Sequence, residues 1–167
     1  MKYVDWRINR EELKSYSLAE FDNEDGSIYG FMTLKLGDFQ IGYLDDSNTL
    51  EGDEDISFYI DAFIKCGQSI LNDESYNVKL LHRNLLEIKV IFHNPIIVEI
   101  WNIYEDKKVF SYTLSKDEMI SEIKRMYIKY IEDIEEINAC LLNSKSVSRT
   151  IQLYDDFLKH LSQEGDA

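Results

Sequence analysis

Apolar and polar residues alternate with a period of two across residues 27–36 and again across 39–44, with Gly37-Asp38 between them. Glycine leading a two-residue loop suits a type II′ turn, so the spacing predicts a β-hairpin. Pairing Leu36 with Phe39, Leu34 with Ile41 and Met32 with Tyr43 puts six apolar side chains on one face and leaves Thr33, Lys35 and Gln40 on the other. From 54 to 71 the period changes. Ile56, Ile60, Phe63, Gly67 and Ile70 recur at helical spacing behind a run of acids that complements a helix N-terminus. Strand periodicity returns in a second predicted hairpin, 76–81 with 85–92. A loop of His82-Arg83-Asn84, with Asn84 suited to the left-handed position, sets Val78 and Leu80 against Ile88 and Leu86, and Lys79 against Glu87.

His93-Asn94-Pro95 marks a turn, and Ile96 to Tyr104 is apolar on both faces, the pattern of a central strand covered on both sides. Glu105 to Lys108 turns the chain into a last strand, Val109 to Leu114. Ser115-Lys116-Asp117-Glu118 then matches a capping box and opens a long helix. Its seam is Ile120, Ile123, Tyr127, Tyr130, Ile134, Ile137 and Leu141. After Asn143-Ser144-Lys145-Ser146 the rhythm resumes at Val147, Ile151, Tyr154, Leu158 and Leu161. The expectation is an α+β protein: an antiparallel β-meander of about five to six strands, one helix between the hairpins and a C-terminal antiparallel helical hairpin. The long seam is expected to pack on the sheet rather than to dimerise.

Length and composition fit one domain over 1–167. A chain of 167 residues with 44% hydrophobic and 13% aromatic residues can fill a core, and seven glycines with one proline leave no recognisable linker. The N-terminus has no basic segment followed by an apolar run, and no stretch reaches 18 consecutive apolar residues, so a cytoplasmic protein is expected. Cys66 and Cys140 lack CxxC spacing or a histidine neighbour and read as small buried hydrophobes in helices.

Charge changes the picture most. The net charge of −14 excludes the Lys- and Arg-driven binding of nucleic acid and of anionic membranes. By segment the net charge is +1 over 1–19, −10 over 20–55, −1 over 56–114 and −4 over 115–167. The hairpin register sets residue 30 opposite residue 45, so the chain entering the hairpin meets the chain leaving it. Glu20, Asp22, Glu24 and Asp25 are thereby expected at one edge with Asp45, Asp46, Glu51, Asp53, Glu54 and Asp55. Like charges gathered in this way repel one another, and solubility does not require the gathering; a focused field of one sign steers a partner of the other. The partner-binding residues expected are therefore Asp22, Glu24, Asp25, Asp45, Asp46, Glu51, Asp53, Glu54 and Asp55, with Tyr29 and Tyr43 as aromatic anchors among them.

Other chemistry leaves no pattern. Asp22 to Gly26 and Asp45 to Asn48 offer oxygen ligands, but neither reproduces the twelve-residue calcium loop. His82, His93 and His160 fall in two turns and near a helix end, outside helical spacing of any other metal ligand. There is no GxSxG elbow, HExxH helix, P-loop or dinucleotide GxGxxG, and neither a cofactor nor a catalytic residue is assigned.

In its size, acidity, strand content and acidic edge, with stretches such as Ile28-Tyr29-Gly30-Phe31 and Gln40-Ile41-Gly42-Tyr43, the chain resembles the immunity proteins that neutralise bacterial polymorphic or contact-dependent growth inhibition toxins. The resemblance implies one-to-one binding of a cognate toxin, often a cationic nuclease domain, by a cytoplasmic monomer that is not an enzyme. The competing expectation is an adaptor or regulatory domain that binds a partner, or its own copy, through the 120–141 helix and its Tyr127/Tyr130 pair; an enzyme without a recognisable motif is the third.

Overall fold

Val4-Asp5-Trp6-Arg7-Ile8 alternates apolar and polar residues and forms strand β1 (Val4–Ile8), its three apolar side chains buried. In the computed structural model, which describes residues 2–42, 52–79 and 86–165, β1 pairs antiparallel with β2 (Tyr29–Leu36), Val4 opposite Leu34 and Ile8 opposite Gly30. On the other edge of β2, β3 (Phe39–Ile41) pairs Leu36 with Phe39 and Leu34 with Ile41, the register given by the hydrophobic pattern. Gly37 turns the chain at a φ of 58° while Asp38 keeps a negative φ, the combination a type II′ turn needs. The expected pair of Met32 with Tyr43 lies outside the described residues.

The same edge of β2 then receives a second short strand, β4 (Glu54–Asp55), with Gly30 opposite Glu54 and Tyr29 opposite Asp55. Residue 30 therefore faces 54 rather than 45. Pairing restarts nine residues later than an uninterrupted hairpin allows, a shift that no periodicity reports.

Two short helices, α1 (Arg10–Ser15) and α2 (Leu18–Asn23), lie between β1 and β2, and Asp55 caps α3 (Ile56–Leu71), which begins two residues later than the apolar spacing predicts because Glu54 and Asp55 belong to β4. The whole expected stripe of α3 is buried, and so are Tyr59, Ala62, Ile64 and Cys66 on its other sides: this helix is hydrophobic nearly all round because neighbours cover it nearly all round. Strands β5 (Tyr76–Lys79), β6 (Leu86–Ile91), β7 (Ile96–Asn102) and β8 (Lys107–Leu114) form a second antiparallel sheet in sequence order. Val78 faces Ile88 and Lys79 faces Glu87, as the pattern requires; Leu80 and the loop 82–84 lie outside the described residues. The strands thus divide into two four-stranded sheets rather than one meander. Tyr3 against Tyr112 and Phe39 stacked on Phe110 join the two sheets.

β7 is central in its sheet but covered on one face only. Ile96, Val98 and Ile100 are buried, whereas Ile97, Glu99 and Trp101 are half-buried on the outer face. Trp101 carries the Lys89 ammonium 3.9 Å above its ring and donates Nε1–H to Glu99, so an aromatic side chain that reads as core serves as the platform of a surface charge network.

The capping box at Ser115 and Glu118 opens α4 (Lys116–Asn138), a 3-10 turn spans Ala139–Asn143, and α5 (Lys145–Gly165) follows. Both long helices pack on α3. They converge at Gly67, where an added Cβ would stand 2.7 Å from Ile123 Cδ1 and 2.8 Å from the Phe157 ring, and they meet each other through the stacked rings of Tyr127 and Tyr154. α5 buries Val147, Thr150, Tyr154 and Phe157, while Leu158 of the expected seam is exposed. Cys66 is buried as expected; Cys140 is exposed in the 3-10 turn, with Sγ 2.9 Å from Asn138 Oδ1.

Candidate functional site

The N-terminal third, whose secondary structure periodicity left unassigned before residue 27, builds the frame of the acidic edge. Asn9 uses both ends of its amide on the chain before β4: Nδ2 donates to the Gly52 carbonyl at 2.7 Å and Oδ1 accepts the Gly52 amide at 2.8 Å. Residue 52 is thereby fastened to the end of β1, where the Asn9 amide in turn donates to the Tyr29 carbonyl of β2 at 2.9 Å. A Cβ at Gly42 would stand 2.1 Å from the Met32 carbonyl oxygen, and one at Gly52 would stand 2.1 Å from the Gly30 carbonyl carbon, so only glycine allows either approach. Tyr43, Asp45, Asp46 and Glu51 of the expected site lie outside the described residues; the two ends of their segment leave β2 two residues apart.

The remaining expected site residues fall into two groups. Asp22, Glu24, Asp25, Tyr29 and Asp53 reach the surface, Asp22 and Tyr29 half-buried and the others exposed, whereas Glu54 is only 7% exposed and lies 3.3 Å from the Tyr59 hydroxyl. Several carboxylates have internal work. Asp55 accepts the Phe58 amide at the head of α3 and the Ser27 hydroxyl at 3.0 Å. Burial raises its pKa from the ordinary aspartate value, with the Asp25 charge adding to the rise. Asp25 accepts the Ser27 amide and, at 2.6 Å, the Tyr29 hydroxyl, whose pKa that carboxylate pushes up to about 12. Asp22 accepts the Lys145 amide at the head of α5, and Glu24 accepts the Tyr16 hydroxyl at 2.7 Å, raising that phenol to about 12.

Two short helices missing from the periodicity hold these acids: α1 (Arg10–Ser15) and α2 (Leu18–Asn23). The second opens with a capping box of Ser17 and Glu20, the same four-residue pattern that announces α4, so this signal was present in the sequence. Asn138, the last residue of α4, donates to the carbonyls of Leu13 and Tyr16 at 2.9 Å each, and Arg10 pairs with Glu136 at 2.9 Å. The C-terminal turns of α4, which expose Glu132, Glu135 and the Arg10-paired Glu136, are thus fastened to α1, and Glu11, Glu20, Glu24, Asp25 and Asp53 are exposed on α1, α2 and the chain that follows them and precedes β4. The acidic edge is wider than the hairpin alone. It includes the end of α4, whose acids read in the sequence as an ordinary polar helix face.

Beside this edge runs an open groove of about 770 Å³. One end is the α2–β2 connection with Asp22 and Asp25. The floor is the α3 face carrying Asp55, Phe58, Asp61 and Lys65, and the walls are β5 and the first turns of α5 with Lys145, Ser146 and Arg149. Asp61, only 7% exposed, accepts the Thr150 hydroxyl at 2.6 Å and pairs with Arg149 at 3.2 Å. Lys65, Lys79 and Lys145 make no ion pair among the described residues.

Among the described residues no group of three or more His, Cys, Asp or Glu side chains is placed to hold a metal, and no helix is long and apolar enough to cross a membrane. His93 and His160 are exposed. No protein-family model matches the chain, and comparison with curated proteins and with solved structures returns no match.

Proposed function

We propose that the protein is an acidic binding module for a basic protein, acting as an immunity protein that neutralises a cognate cationic toxin domain, nuclease domains being the natural targets. The observation that carries this reading is that α1, α2, residues 52–55 and the end of α4, elements tied together by Asn9, Arg10 and Asn138, expose eight carboxylates, of which Glu136 is paired with Arg10. A field of one sign over such a surface accelerates capture of an oppositely charged partner, and a cationic nuclease presents Lys and Arg that nucleic acid otherwise neutralises. On this reading Asp22, Glu24, Asp25 and Asp53, with Asp45, Asp46 and Glu51, meet those cations. Tyr29 is an unsuitable anchor while its hydroxyl is held by Asp25. Glu54 and Asp55 support the site from beneath it. The adaptor alternative draws no support from the 120–141 seam, because Tyr130 is fully buried on Ser57 and Tyr127 is stacked on Tyr154.

The test is the association rate with the product of the reading frame immediately upstream, measured for wild type and for a variant with Glu24, Asp53, Glu132 and Glu135 all changed to Lys. The variant should fold normally and associate about tenfold more slowly at low salt, with the gap narrowing as salt rises. An association rate that ignores these four charges removes the reading.

A further inference from the structure

We propose that the groove between β5 and α5 is a peptide slot, and that an extended segment of the basic partner enters it as an added strand on β5, with a Lys or Arg at the Asp22/Asp25 end and an acidic side chain four residues away at the Lys65 end. This rests on the reading above and names the part of the surface that confers specificity.

The first observation is which residues line the groove. Side chains of a strand alternate between faces, yet Tyr76, Asn77, Val78 and Lys79 all border it in succession. Only the edge of a strand presents consecutive residues in that way. β5 is the outermost strand of its sheet and pairs with β6 on one side. Among the described residues, the main-chain groups of Tyr76 to Lys79 make no hydrogen bond beyond those to β6. An edge strand bordering a groove with a helix on the far wall is the geometry in which an incoming strand gains main-chain hydrogen bonds from the sheet and side-chain contacts from the helix. The helix wall offers the exposed side chains of Lys145 and Arg149 for such contacts, whereas Ser146 Oγ is screened from solvent and turned toward Gly26.

The second observation is the order of charges along the floor. α3 presents Asp55, Phe58, Asp61 and Lys65 to the groove, positions three or four apart and therefore on one stripe. From Asp55 to Lys65 is ten residues, about 15 Å along the axis. The Asp55 end also holds Asp25, with Ser27 between the two carboxylates, and Asp22 at the head of α5. Asp61, midway, is neutralised by Arg149. At the Asp55 end three carboxylates outnumber the Lys145 ammonium, whose own amide is held by Asp22, while Lys65 stands beyond the Asp61–Arg149 pair and Lys79 lines the β5 wall. The slot is net negative at one end and positive at the other, a polarity that repels a uniformly basic segment from the Lys65 end. An extended chain covers about 15 Å in four to five residues, and residues four apart project from the same side. A basic and an acidic residue in an i, i+4 relation fit that polarity, with apolar or β-branched residues between them over Phe58 and Ala62.

Terminally blocked synthetic octapeptides of alternating Val and Thr test this, carrying Lys and Glu four residues apart in either order, two Lys, or two Glu. Amide exchange and chemical shifts of the full-length protein are read during titration. One order of the mixed peptide should protect the amides of Tyr76–Lys79 that face away from β6 and bind several-fold tighter than the two-Lys and two-Glu peptides. Lys65→Glu should weaken that peptide by about fivefold and favour the two-Lys peptide instead, since opposite and like charges across a strand differ by up to ~1 kcal/mol. If no peptide protects those amides, or if Lys65→Glu leaves the preference unchanged, the slot is wrong. Failure here leaves untouched the rate effect of the Glu24, Asp53, Glu132 and Glu135 reversal; failure of the wider reading removes that rate effect whatever the peptides do.

Discussion

Glu122 reaches from α4 to the Val4 amide at 2.8 Å, and the same oxygen accepts the Tyr3 amide at 2.8 Å. The carboxylate is 5% exposed and is held by Arg125, which contacts Oε1 at 2.7 Å and Oε2 at 2.8 Å and also donates to the Val4 carbonyl. One ion pair thereby closes the main chain at the start of β1, where the ladder to β2 ends.

Removing that carboxylate orphans two amides and a partly buried guanidinium together. Glu122→Ala should cost about 3 kcal/mol, while Glu122→Gln, which keeps an acceptor for the amides and loses only the charge, should cost about 1 kcal/mol. Urea unfolding with an unchanged slope measures both. Equal losses would mean that the two backbone bonds contribute nothing.

Gly67 sits where α3 touches both C-terminal helices, and the close neighbours of an added Cβ there are Ile123 and Phe157. In an exposed helix Gly→Ala stabilises by about 1 kcal/mol. Here overpacking outweighs propensity, and Gly67→Ala should destabilise by about 1–3 kcal/mol. Combining it with Ile123→Val, which removes the atom at 2.7 Å, should return part of the loss. A stabilised single variant in thermal unfolding would show that the three helices are free to move apart.

How far the fold could be read from the chain follows from which interactions are local. The Gly37 hairpin, the Val78–Ile88 pairing and the Ser115 cap depend on neighbours within a few residues, and periodicity with turn chemistry is enough for them. The pairing of Gly30 with Glu54, the double contact of Asn9 with Gly52 and the reach of Glu122 to Val4 join residues 24 to 118 positions apart. No spacing rule reports those. β1 and α2 were legible in part, through the alternation of Val4 to Ile8 and the Ser17–Glu20 box. Trp101 misled because an apolar residue on an outer sheet face looks like core until the lysine above it is seen.

The candidate site shows the same division. Charge per segment marks residues 20–55, yet the sequence alone does not separate Asp53, which faces solvent, from Glu54, which faces the core one residue later; that alternation exists because β4 is a strand. The acids of α4 join the edge only because Asn138 and Arg10 fasten that helix to α1.

Asp55 carries a testable pH dependence. Burial, helped by Asp25, raises its pKa in the fold, outweighing the Phe58 amide and the Ser27 hydroxyl that pull it down. A carboxyl with a raised folded pKa binds its proton more tightly folded than unfolded, so its contribution is present below the unfolded value and is lost as pH rises through the folded one. Asp55→Asn retains a capping oxygen for α3 and avoids the buried charge. The variant should melt above wild type at pH 7, and the advantage should disappear once the pH falls below about 4, near the unfolded aspartate value. A variant that melts lower at pH 7 would show that the charge at the head of α3 is favourable in place.

Alkaline pH should unfold the protein in a step. Tyr130 is fully buried with its hydroxyl 3.1 Å from Ser57 Oγ, and burial lifts its ionisation well above the free phenol; burial does the same at Tyr3. Tyr29 and Tyr16 are held up to about 12 by the carboxylates of Asp25 and Glu24. Each of these phenols keeps its proton in the fold at a pH where the unfolded chain, with phenols near ~10, has released it. The unfolded state then binds fewer protons, and stability falls as pH rises through this window. Tyrosinate absorbance and far-UV circular dichroism should therefore change together between pH 10 and 12. Tyr130→Phe should lose about 1 kcal/mol at neutral pH, where the Ser57 hydroxyl keeps only the Ile28 amide of its two partners, and should move the step to higher pH because the most deeply buried phenol is gone. A gradual titration with the helical signal intact would mean that these hydroxyls ionise in place, and that both the Ser57–Tyr130 contact and the Asp25–Tyr29 contact are open to water.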